Sequence, residues 1–97
     1  MLEFKDEGNT CYVSGELSQT EVIRLWPRVD KLVTQGVASI DLSAINYSDT
    51  AGVAMLLHIF GLQHQAGGSL TLCHPPQQLQ KLIDLYDLQD FFVEEAN

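Results

Sequence analysis

Asn46, Tyr47, Ser48, Asp49 and Thr50 stand side by side and give way at once to a small-residue, apolar run over 51–57. An acid flanked by two hydroxyls admits three chemistries: an acid–base pair, a hydroxyl that takes a phosphate, or the polar cap of a helix. Capping is sufficient for stability. Ser48, Asp49 or Thr50 can each accept from the orphan N–H groups of a first helical turn, worth about 1 kcal/mol. It leaves Ala51, Gly52 and Ala54 unexplained. Small residues leave that turn unshielded, so another backbone or a phosphate can approach closely. The Thr50 hydroxyl then stands at the positive end of a helix dipole.

Other chemistries find less support. Asp49-Thr50 is close to the Asp-Thr-Gly loop of aspartic proteases, but Ala51 intervenes before Gly52 and a helix follows. Two such loops must also meet to share a proton. His58 and His64 lie six residues apart, roughly 600° of helical rotation, and point to different sides. His74 stands beside prolines, and no cysteine or carboxylate is at ligand spacing with any of the three, so no metal is expected. The Gly67-Gly68 pair precedes a strand instead of following one, unlike a phosphate loop. Neither Cys11 nor Cys73 has a helix start or basic neighbour to make it a nucleophile. No catalytic residue, cofactor or enzymatic activity is expected.

The composition fits a binding module. The 97 residues suit one domain, 1–97, with 45% hydrophobic and 19% charged residues. Five Lys and Arg against thirteen Asp and Glu give a net charge of −8. Such a surface repels nucleic-acid phosphates and anionic headgroups alike, which points to a protein partner. The N-terminal Met-Leu-Glu-Phe-Lys-Asp-Glu-Gly carries acids where a signal peptide needs positive charge. No apolar run is long enough to span a bilayer, so no direct membrane insertion is expected. Cys11 and Cys73 read as buried free thiols of a cytosolic protein.

The elements that must position the 46–54 stretch follow from periodicity. Leu2 and Phe4, then Cys11, Tyr12 and Val13 ending at Ser14-Gly15, form a hairpin around Asp6-Glu7-Gly8-Asn9. Ser18 and Glu21 have capping-box spacing. Val22, Leu25, Trp26, Val29, Leu32 and Val33 recur at helical spacing, which puts Trp26 in the core. Pro27 inside that helix predicts a kink or local tightening. Ile40 to Ser43 alternate as a strand, 50–66 read as a helix, and Leu70 and Leu72 as another strand. Pro75-Pro76 open a third helix with an apolar face of Leu79, Leu82, Ile83 and Tyr86. Phe91, Phe92 and Val93 close the pattern as a short strand. The order β-β-α-β-α-β-α-β is a mixed α/β domain, a sheet of four to five strands with three helices mainly on one face.

The helix over 50–66 carries two stripes. Val53, Leu56, Leu57 and Phe60 cluster on one side, and Met55, Ile59 and Leu62 nearly opposite. One faces the sheet; the other is expected to pack on a neighbouring helix, the alternative being a partner surface.

Together these residues resemble the STAS domain family, shared by anti-sigma-factor antagonists and the cytosolic tails of sulfate transporters. Ser14-Gly15-Glu16-Leu17 resembles the family's turn after the second strand, and Ile40-Asp41-Leu42-Ser43 its Asp-Leu-Ser strand. Asp49-Thr50-Ala51-Gly52-Val53-Ala54 resembles its helix start, the most specific element. Residues 76–88 resemble its last helix. Stand-alone size, Thr50 and Leu56-Leu57-His58 are most similar to the STAS subunit of Gram-negative phospholipid ABC transporters. That resemblance implies a cytoplasmic protein, peripheral to the inner membrane, bound to the transporter's ATPase in a complex with permease and substrate-binding subunits. Such a complex helps maintain outer-membrane lipid asymmetry. The docking residues it implies here are Tyr47, Ser48, Asp49, Thr50, Gly52 and Met55. The competing relative is the anti-sigma-factor antagonist, for which Thr50 would be the phospho-acceptor.

Overall fold

The computed structural model describes residues 1–68 and 70–88 and the backbone of 93 and 94. β1 (Glu3–Glu7) and β2 (Thr10–Leu17) form the expected antiparallel hairpin, Phe4 opposite Val13 and Glu7 opposite Thr10. β3 (Ser39–Ser48), β4 (Thr71–Cys73) and β5 (Val93–Glu94) then add in parallel, giving a five-stranded mixed sheet in the order β1-β2-β3-β4-β5. Phe91 and Phe92, expected in the closing strand, lie outside the described residues.

The helices α1 (Gln19–Leu25), α2 (Thr50–Gln65) and α3 (Gln77–Leu85) connect the parallel strands. Parallel crossovers are right-handed, and here each one steps the same way across the sheet, so every connecting helix falls on the same face. α2 accordingly sits between α1 and α3 and touches both. The core between this layer and the sheet includes Leu17, Ile40, Leu42, Leu56 and Leu79, all fully buried.

Pro27 tightens the first helix. After Leu25 the chain narrows to a 3-10 stretch, Trp26–Lys31, with Arg28 leaving helical geometry at φ −125°, ψ 25°. Proline lacks the N–H that an α-turn needs there. One consequence overturns an expectation: Trp26 is 45% exposed instead of buried, while Leu25, Val29 and Val33 take the core. The tighter winding after Leu25 shifts the apolar stripe, and the largest side chain is left outside it.

β3 is longer than its pattern suggested. Asn46, Tyr47 and Ser48 belong to the strand, and Asp49 alone separates it from α2, so strand and helix meet at a one-residue junction. Two register shifts explain how ten residues of β3 lie along β2. Tyr12 pairs with Asp41 and Ser14 with Ala44; Gly15 pairs with Ile45 and Glu16 with Tyr47. Each leaves one extra residue on β3, a bulge that re-aims the side chains beyond it. At the first, the Ser43 N–H donates to Asp41 Oδ1 at 2.9 Å. At the second, Asn46 is skipped and Ser48 turns inward.

Ser14 to Leu17 likewise lie within β2, not in a turn beyond it. Gly15 has φ +107°, and a Cβ there would stand 1.9 Å from the Met1 carbonyl oxygen. Only glycine tolerates both.

Candidate functional site at the start of α2

Asp49 is the N-cap of α2. Its extended backbone (φ −136°, ψ −177°) lets Oδ1 accept from the Gly52 N–H at 3.1 Å. Oδ2 accepts from the N–H of Gln19, the first residue of α1, at 3.0 Å. Its own N–H donates to the Leu17 carbonyl at 3.0 Å. Two helix starts and the end of β2 therefore meet on one residue.

The neighbouring cap is only half of a capping box. Ser18 Oγ accepts from the Glu21 N–H at 3.4 Å, but the Glu21 carboxylate does not return to Ser18. It accepts instead from the Leu2 N–H at 2.7 Å and from Arg24 Nη2 at 2.8 Å. The Arg24 guanidinium first, and the Leu2 N–H second, hold this carboxyl below its ordinary pKa.

The six expected docking residues divide by depth. Thr50 and Tyr47 are exposed and Asp49 is half-buried; Ser48, Gly52 and Met55 are buried. The Thr50 hydroxyl makes no hydrogen bond among the described residues. Ser48 is 3% exposed; its N–H donates to Gln78 Oε1 at 3.0 Å, tying α3 to the site, and its Oγ has no partner among the described residues. Tyr47 pairs with Glu16 on the sheet.

Gly52 is small for an internal reason. A Cβ there would lie 2.2 Å from the Leu17 carbonyl oxygen, so the backbone that approaches this turn is the chain's own β2. The space expected for a partner is already filled. Met55 is 0% and Ile59 2% exposed, so their stripe packs internally as expected, and Met55 is no surface contact.

What remains outside is a continuous surface. A cleft of about 410 Å³ is lined by Gln19, Asp49, Thr50, Ala51 and Ala54. Ala51 and Ala54 also line an apolar groove of about 570 Å³ between α1 and α2, walled by Val22, Ile23, Trp26 and Pro27 with Met55 as its floor. Ile23 is 67% exposed, and the Trp26 ring lies 4.8 Å from the His58 ring at 41°. Ala54 was among the small residues expected to open this turn; Ile23 and Trp26 were not expected at the site. The available signal was Ile23, apolar yet outside the helical stripe, next to a tryptophan that precedes a proline. Among the described residues, no three His, Cys, Asp or Glu side chains are grouped to hold a metal. No helix there is long and apolar enough to cross a membrane.

Known proteins share this architecture. The unphosphorylated anti-sigma factor antagonist SpoIIAA superposes with a TM-score of 0.70 at 16% identity, over 100% of this chain and 90% of that one. The phosphorylated Bacillus cell fate determinant SpoIIAA gives 0.64, also at 16% identity, over 100% and 93%. At that identity the likeness concerns the fold. In sequence, the chain is 36% identical to the intermembrane phospholipid transport system binding protein MlaB of Escherichia coli (strain K12), over 90% of this chain and 89% of that one. The protein of the same name from Haemophilus influenzae is 26% identical, over 93% and 90%. A family model described as "Mlab, STAS domain" matches residues 1–94, and the chain belongs to that STAS family.

Proposed function

We propose that this chain is a non-catalytic, cytoplasmic binding subunit of an inner-membrane phospholipid transporter, docked on the transporter's ATPase within a complex that includes permease and substrate-binding subunits. The relatives named for an intermembrane phospholipid transport system support the assignment to that system. One observation carries the docking surface: an exposed hydroxyl, Thr50, at the edge of an exposed apolar groove built from Ile23, Trp26, Ala51 and Ala54. Contiguous exposed apolar surface beside a polar rim marks a protein interface. Helix α2 presents its start there, and the contacts of half-buried Asp49 and buried Gly52 hold it in place.

The exposure of Thr50 also favours a second reading, in which a kinase reaches its hydroxyl and the chain acts as an anti-sigma-factor antagonist. Co-expression separates the two. The transporter ATPase co-purifies with the wild-type chain and is lost with Thr50→Glu, while Thr50→Ser retains binding. Co-purification of a kinase-like anti-sigma factor, with phosphate appearing on Thr50, would establish the second reading instead.

A further inference from the structure

Three of the chain's five Lys and Arg residues fall together. Arg24, Arg28 and Lys31 lie along α1 and the 3-10 stretch and line one cleft of about 490 Å³. Its apolar walls are Leu2, Phe4, Leu25 and Leu32. Arg24 is engaged, donating to Glu21 Oε1 at 2.8 Å and to the Leu2 carbonyl at 3.1 Å. Arg28 and Lys31 are exposed and make no ion pair among the described residues. Of the acids, Glu3 alone is in the lining, and Asp30 falls between the two cations in sequence. The rest of the chain sets the other twelve acids against two lysines, one of which, Lys5, is held by Glu7 at 3.3 Å. Charge in this molecule is thus segregated, with three of its five cations gathered on one cleft that also carries apolar walls.

The shape of that cleft selects the occupant. Its second wall is the start of the chain leading into β1, the edge strand, which pairs only with β2 among the described residues. An extended segment lies naturally along such an edge. We propose that this cleft docks an extended acidic segment of a protein partner, an apolar side chain entering between Leu2 and Phe4 while flanking carboxylates meet Arg28 and Lys31. A lipid surface fits worse, because the cleft is concave and the surrounding acidic surface repels anionic headgroups. The groove beside Thr50 lies on the other flank of α1, lined by Val22, Ile23 and Trp26, so this is a second and separate interface.

The test uses the full chain, a fluorescein-labelled peptide of alternating Asp and Leu, and anisotropy at low salt. Binding should be saturable, weaken with added salt, and fall roughly tenfold in Arg28→Glu with Lys31→Glu. It should persist in Thr50→Glu, which separates this cleft from the α2 surface. The double variant Arg28→Gln with Lys31→Gln gives the same reading should charge reversal disturb folding. Phosphatidylglycerol vesicles are expected to leave the chain in solution. Absence of saturable peptide binding, or binding unchanged in both double variants, overturns the proposal. Retention on the vesicles that the same variants abolish overturns it in favour of a membrane surface.

Discussion

The backbone N–H of Gln19 donates to the Asp49 carboxylate at 3.0 Å, which joins the first residue of α1 to the cap of α2. The first two parallel crossovers thereby begin at one side chain. Asp49→Ala removes the bond to Gln19 and the cap on Gly52 together, for an expected loss of about 2 kcal/mol. Asp49→Asn keeps one acceptor oxygen and should lose about half as much. Urea denaturation of the three proteins measures both differences.

Two glycines in α2 should respond oppositely to the same change. At Gly52 an added methyl collides with the Leu17 backbone at 2.2 Å, whereas at Gly61 it meets nothing within 4 Å. Gly61→Ala should therefore stabilise the helix by up to ~1 kcal/mol. Gly52→Ala should destabilise by about 1–3 kcal/mol, since overpacking against backbone outweighs helix propensity. Thermal melts of the pair decide it; equal shifts would mean that the contact with Leu17 is slack.

Ile23 and Ile59 make a similar pair. Ile59 is 2% exposed and Ile23 67%. An unpaired carboxylate at Ile59 should unfold the domain, because its burial is costly relative to a margin of about 5–15 kcal/mol. Ile23→Asp should melt within about 0.5 kcal/mol of wild type and still fail to co-purify with the ATPase proposed as partner. Unimpaired binding by Ile23→Asp would remove the apolar groove from the interface.

Thr50→Glu should fold normally. The added charge gains about 0.3–1 kcal/mol from the helix dipole, and repulsion from Asp49 offsets it. Far-ultraviolet circular dichroism on the protein used for the pull-down checks this, so that lost binding reports on the interface.

Stability should fall at both ends of the pH scale. Burial raises the pKa of Asp6, but bonds from the Thr34 hydroxyl, the Cys11 thiol and the Thr34 N–H outweigh it, leaving it below 3.8. A depressed carboxylate contributes stability above its unfolded pKa and loses it as pH drops through the folded one. Burial first, and Asp6 second, push Cys11 from 9.0 to about 12. An unfolded Cys11 then sheds its proton where the folded one keeps it, so stability declines from pH 9 toward 12. Asp6→Asn should flatten the acid limb, and Cys11→Ala the alkaline one, in melts taken across pH.

Local physics in the sequence determined much of this molecule. The hairpin, the helices, the capping role within Ser48-Asp49-Thr50 and the tightening at Pro27 all follow from periodicity and from which residues can donate or accept nearby. The motif at the start of α2 was legible for the same reason, being contiguous. Tertiary structure decided what each side of those elements faces. The partner of the small Gly52 is the Leu17 carbonyl, and the second acceptor of Asp49 serves Gln19. Trp26 lies outside the core, and Arg28 and Lys31 come to rest beside Leu2 and Phe4. None of these is a neighbour along the chain. Periodicity reports one element at a time, whereas a bulge in β3 or a tightened turn after Leu25 rotates every later side chain, and only the packed sheet and helices settle where each one points.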